Sequence, residues 1–126
     1  SEISMIEDLP TVKPEAYDYY LRGRFLIHRS VNEQRTDTER EGIAGSIRYF
    51  EKAVAADSSF ALAYSGLAQA WFDLSAWGWF PTKEGFMKAR DYSLIAIKLD
   101  PDCAEAHTVL GAYHGWGDRQ FEEARK

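Results

Sequence analysis

Phe50–Ala68, FEKAVAADSSFALAYSGLA, returns 43 residues later as Ser93–Gly111, SLIAIKLDPDCAEAHTVLG. The copies share Ala53/Ala96, Asp57/Asp100, Ala61/Ala104, Ala63/Ala106 and Leu67/Leu110, and Val54/Ile97, Tyr64/His107 and Ala68/Gly111 keep size or polarity. Self-similarity at such a period marks stacked supersecondary units, each unable to bury its apolar face alone. Within a copy, Phe50, Ala53 and Val54 lie at helical spacing and end at Asp57-Ser-Ser or Asp100-Pro-Asp. Proline disfavours helix at the residue before it, so Asp100 stands near a helix end. A second helix then opens with Ala-x-Ala-aromatic. Small residues at fixed places let two helix backbones approach, and large ones fill the space between.

These residues resemble the tetratricopeptide repeat, a helix–turn–helix unit of 34 residues. In the middle unit the first helix matches at Ala63, Tyr64, Leu67, Ala68, Ala70 and Trp71, and the second at Ala89, Ser93, Ala96, Leu99, Asp100 and Pro101. Ser93 stands where the family carries an aromatic. The third unit matches at Ala104, Ala106, His107, Leu110, Gly111 and His114. The first matches at Ser46, Phe50 and Ala53, with Gly23 as the small position beside Tyr19 and Leu26 and with Arg22 in place of the usual Leu. First positions fall at Ala16, Ala61 and Ala104, giving periods of 45 and 43, so the extra residues are expected between the two helices of a unit. The chain looks like the long-loop arrays appended to bacterial nucleotidyl cyclases, winged-helix transcription regulators and protein kinases, and Glu15–Phe25, EAYDYYLRGRF, resembles their opening.

The resemblance implies an all-α fold of about two and a half antiparallel helix–turn–helix units in a short right-handed superhelix. Residues 1–13 read as a linker or extension, and 14–126 as the repeat domain, with units at about 14–59, 60–102 and a shortened 103–126. Helices are expected over Glu15–His28, Thr38–Ala56, Phe60–Leu74, Thr82–Leu99, Asp102–Gly115 and from Asp118 onward. Arg29–Thr36 and Ser75–Pro81 read as loops, and Thr38-x-x-Glu41 as a capping box. The early stop of the last helix reads as that of an excised segment whose final face invites self-association.

The resemblance also implies a concave groove lined by the first helix of each unit. Its positions are Tyr17, Tyr20, Leu21, Arg24, Ile27 and His28, then Leu62, Ser65, Gly66, Gln69, Phe72 and Asp73, then Glu105, Thr108, Val109, Ala112, Gly115 and Trp116. Aromatics and arginine carry much of the binding energy at interfaces, so this mixture suits a peptide; otherwise it is a solvated face. Arrays that grip a C-terminal carboxylate use Lys and Asn at several of these places. Here Tyr20, Arg24, Gln69 and Thr108 stand there, which argues against that activity. The loop AWGWF brings Trp77, Trp79 and Phe80 together, either as a partner surface or folded back and buried. The general burial of aromatics favours the second.

Net charge is −5 and no Lys/Arg-rich run occurs, which argues against nucleic-acid binding. No apolar run reaches membrane-spanning length, and no leader pattern opens the chain. The single cysteine, Cys103, excludes an internal disulfide and fits a reducing compartment, so the cytoplasm is expected. Cys103, His107 and His114 lie near one helix face at metal-ligand spacing. The alternative is that both histidines pack at the aromatic and Tyr positions of the repeat, and this is preferred; no metal or cofactor is expected. No phosphate-cradling glycine loop, G-x-S-x-G or H-E-x-x-H occurs, so no enzymatic activity is expected. The expected function is a protein or peptide interaction scaffold, as a regulatory segment of a larger signalling or transcriptional protein. A free-standing adaptor or oligomerisation module is the alternative.

Overall fold

The turn after Ala56 and the turn after Leu99 are built from the same bonds. Asp57 and Asp100 each donate a backbone N–H to the alanine four residues back, Ala53 at 2.9 Å and Ala96 at 2.8 Å. Each carboxylate accepts the N–H two residues on, from Ser59 at 3.0 Å and Asp102 at 3.1 Å. Asp is suited to this because its short side chain can replace a backbone acceptor in a turn. Each aspartate carbonyl then accepts from the residue that opens the next helix, Phe60 or Cys103. Both openers are extended, with no side-chain cap, and both are buried. The shared Asp57/Asp100 of the two sequence copies is thus a shared way of reversing the chain.

The computed structural model describes residues 12–33, 36–78 and 82–117, of which 29–33, 36–39, 82, 116 and 117 as backbone only. These residues are helical, with no strand among them: α1 (Pro14–Glu33), α2 (Thr36–Ala56), α3 (Ala61–Ala76), α4 (Thr82–Leu99) and α5 (Ala104–Ala112), followed by a π-helical turn over Tyr113–Gly117. α1 packs on α2 and α3 on α4, as helical hairpins. α2 also packs on α3 and α4 on α5, while α1 touches α3 and α3 touches α5. α3 is therefore the central element, in contact with each of the others.

The core is made of small residues where helices cross and rings where they part. Ala16, Ala53, Ala63, Ala68, Ala70, Ala89, Ala96 and Ala106 are all fully buried. Phe50 and Phe60 fill the space between α1, α2 and α3, with the Tyr20 ring 5.8 Å from the first and 5.1 Å from the second. The Phe50 ring sits against two glycines on different helices. A Cβ at Gly23 would lie 2.7 Å from Phe50 Cε1, and one at Gly66 would lie 2.8 Å from the same atom. α1 and α3 can close on this ring only because neither carries a side chain there. At the corresponding places one repeat later stand Ser93 and Val109, both buried: a small residue replaces the ring and a larger one replaces the glycine. The Ser46 and Ser93 hydroxyls, buried in the same way, donate to Ile43 O at 2.6 Å and Ala89 O at 2.8 Å, so neither lacks a partner.

Several boundaries differ from the sequence reading; α5, expected from Asp102 to Gly115, begins at Ala104 and is α-helical only to Ala112. Arg29–Glu33, expected as loop, continues α1, and α2 begins at Thr36, so Thr38 lies inside the helix and is not its cap. The extra residues of the first unit thus lengthen helices of 20 and 21 residues instead of forming a long loop. Polarity alone does not separate a loop from a solvated helix end, and Arg29 and Glu33 are of good helix-forming types. α3 likewise runs two residues past Leu74. It ends where Gly78, at φ +77°, turns left-handed and donates to Ser75 O at 3.1 Å, a conformation that glycine adopts at little cost. Of the linker expected over residues 1–13, residues 1–11 lie outside the described residues, as does the sixth helix from Asp118, while Val12 packs against the core and the Lys13 N–H donates to Asp57 Oδ2. None of the described helices is long and apolar enough to cross a membrane.

Candidate functional site

α1, α3 and α5 each turn one edge toward a common hollow. Residues three and four apart share a helix face, so α1 presents Tyr20, Arg24, Ile27 and His28, and α3 presents Ser65, Gly66, Gln69 and Asp73. α5 adds Glu105 and Val109, and Phe50 of α2 forms the floor. Together they enclose a cavity of about 260 Å³. Every lining residue except Phe50 is one of the groove positions read from the sequence. Phe50 enters because Gly66 and Gly23, on separate helices, put no side chain between its ring and the hollow, which spacing within one helix does not reveal.

The polar groups of this hollow fall into two sets. On α1, Arg24 donates through Nη1 to the Tyr20 hydroxyl at 3.3 Å, and its Nη2 stands 3.3 Å from His28 Nε2. The same guanidinium lies 5.8 Å from the centre of the Tyr20 ring. Burial pushes the Tyr20 phenol up, against the downward pull of Arg24. On α3, Gln69 Nε2 donates to Asp73 Oδ1 at 2.8 Å. The Asp73 carboxyl is pushed up to about 6, because burial disfavours its charged form more than the Gln69 bond favours it. Glu105, in the first turn of α5, is exposed at the rim.

The other groove positions are placed differently. Leu62 is half-buried and packs into the core beside Ala96 and Cys103. Phe72 turns toward α4, its ring 5.0 Å from Phe86, so it supports the hairpin and does not line the hollow. Thr108 is exposed and returns its hydroxyl to Ala104 O at 2.9 Å, while Ala112 is half-buried near the end of α5. Of the aromatic loop, Trp77 is 61% exposed, which corrects the expectation that it folds back and buries. The C-cap at Trp77 holds it at the tip of α3, beyond the core. Trp79 and Phe80 lie outside the described residues.

Cys103 does not pair with the histidines. It is buried at the start of α5, packed with Ala96 and Ala106, and burial raises its thiol pKa. His107 Nε2 is 2.8 Å from Pro101 O, a bond that holds the α4–α5 turn. Among the described residues no three His, Cys, Asp or Glu side chains converge as metal ligands would. Comparison with family models, curated proteins and solved structures returns no match for this chain.

Proposed function

We propose that this chain is a protein or peptide interaction scaffold of the tetratricopeptide kind, serving as a regulatory segment of a larger signalling or transcriptional protein. The observation that carries the reading is the hollow between α1, α3 and α5: side chains from these three helices converge on one cavity, at the positions where the resemblance implies that such arrays hold peptides. The recurrent Asp57 and Asp100 turns and the α1–α3–α5 contacts support the repeat reading. The lining suits an extended segment, since it alternates apolar surface (Ile27, Phe50, Val109) with hydrogen-bonding groups (Arg24, Gln69, Ser65).

The experiment is selection from a phage-displayed random peptide library against the chain. Enriched peptides should lose binding to the double variant Arg24→Ala, Gln69→Ala, while that variant keeps the wild-type circular dichroism and melting temperature. Enriched peptides that bind it unchanged, or a library that yields none, would rule the groove out.

A second reading rests on α4. Met87, Leu94, Ile95 and Leu99 are all large, apolar and more than a third exposed. Such a surface on one helix supports assembly between copies of the chain. Under this reading, sedimentation equilibrium shows mass rising with concentration, and Leu94→Ser with Ile95→Ser returns it to monomer. A constant monomeric mass for the wild type would remove it.

A further inference from the structure

Resting on the groove reading, we propose that the hollow between α1, α3 and α5 receives one basic side chain, lysine or arginine, of a bound peptide, with the Asp73 carboxylate as its counter-charge. The cavity, at about 260 Å³, is smaller than the roughly 300–1,000 Å³ of most small-molecule sites and matches a single long side chain better than a free ligand. Its charges are out of balance. Asp73 and Glu105 face it from α3 and α5, against Arg24 and the imidazole of His28 from α1. Arg24 directs one N–H of each outer nitrogen at its own helix, to the Tyr20 hydroxyl and His28. The ion pairs among the described residues are Arg22–Asp18 and Arg90–Asp91, so Arg24 neutralises neither acid of the hollow.

Asp73 is the acid left in need. Its Oδ1 takes the Gln69 amide, and among the described residues nothing donates to Oδ2. A desolvated carboxylate with one neutral donor is held at a cost that a cation would remove, and its raised pKa expresses that cost. The walls match the rest of a lysine or arginine: Ile27, Phe50 and Val109 offer apolar surface to the methylene stem, while the charged head meets Asp73. A partly dry site strengthens that contact relative to water. An acidic side chain in the same place would meet two carboxylates, against the single guanidinium of Arg24.

The test uses the strongest peptide from the library selection. Each basic residue is replaced in turn by its neutral isostere, norleucine for lysine or citrulline for arginine, and affinities are measured by calorimetry on wild type and Asp73→Asn. One replacement is expected to weaken binding at least tenfold, Asp73→Asn is expected to do the same, and the two together should cost little more than either. Circular dichroism and thermal melting confirm that Asp73→Asn is folded. Peptides that lose binding to Arg24→Ala, Gln69→Ala but contain no basic residue, or bind Asp73→Asn as tightly as wild type, overturn this inference and leave the groove standing. Peptides indifferent to both variants overturn the groove and the inference together.

Discussion

Replacing Gly66 with alanine sets two known effects against each other at one atom. In the interior of α3 the change removes a flexible residue from a helix and is worth about 1 kcal/mol of added stability. The new Cβ, however, would stand 2.8 Å from Phe50 Cε1 and Cζ and 2.9 Å from Cδ1, where ordinary contact begins at 3.4 Å. The ring is 1% exposed, and Gly23 backs the same ring atoms so closely that a Cβ there would also stand only 2.7–3.0 Å away, so the ring has little room to retreat. Overpacking of this kind costs about 1–3 kcal/mol. The net expectation is a loss of up to about 2 kcal/mol, with a fall in Tm of about 4 °C per kcal/mol. Phe50→Leu separates the two effects, because leucine lacks Cε1 and Cζ. In that background Gly66→Ala should be neutral or stabilising by about 1 kcal/mol, giving a coupling of about 1–3 kcal/mol between the sites. Urea unfolding of the four proteins, followed by circular dichroism, measures it. A stabilising Gly66→Ala in the wild-type background, or the same loss in both backgrounds, refutes the wedge.

Other consequences can be checked on the same protein. Asp73 has its folded pKa raised to about 6 from 3.8, so its native state holds the proton more tightly than the unfolded chain. Its favourable contribution is complete below about pH 4 and is lost as pH rises through about 6. Asp73→Asn should therefore stabilise by about 1–3 kcal/mol at pH 8, allowing for partial exposure, and by almost nothing at pH 3.5; equal effects at both pH values would contradict this. Ser75 Oγ is buried with no partner among the described residues, so Ser75→Ala should gain about 1 kcal/mol in denaturant unfolding. Asp57 accepts from Ser59 and from the Lys13 N–H at 3.2 Å, and Asp57→Ala should cost about 1–2 kcal/mol through loss of these bonds. The Ser59 hydroxyl chiefly lowers the Asp57 pKa, so that contribution holds at neutral pH and disappears as pH falls through the acidic range. Cys103 is 3% exposed, and its thiol should react with a disulfide reagent only at the rate of opening, and at once in denaturant.

The sequence by itself determined where the helices turn and which faces they share. Asp57 and Asp100 announce their turns because the bonds that make them are local, closed within four residues. The resemblance to a repeat family grouped Tyr20 with Arg24, and Ser65 with Gln69 and Asp73, and one helix carries each set. The ends of α1 and α2 were less legible, since a polar stretch such as Arg29–Glu33 can be loop or solvated helix with nearly the same composition. Only the tertiary structure decided what crosses between helices. It put Phe50 under the hollow by setting Gly23 and Gly66 against one ring, and it turned Phe72 away from the groove to meet Phe86. It also left the Asp73 carboxylate with Gln69 as its one hydrogen-bond donor among the described residues, and with no ion pair to Arg24. The reason is physical: a turn or a helix face depends on neighbours in sequence, whereas a packed ring and a desolvated charge depend on atoms brought together by three separate helices.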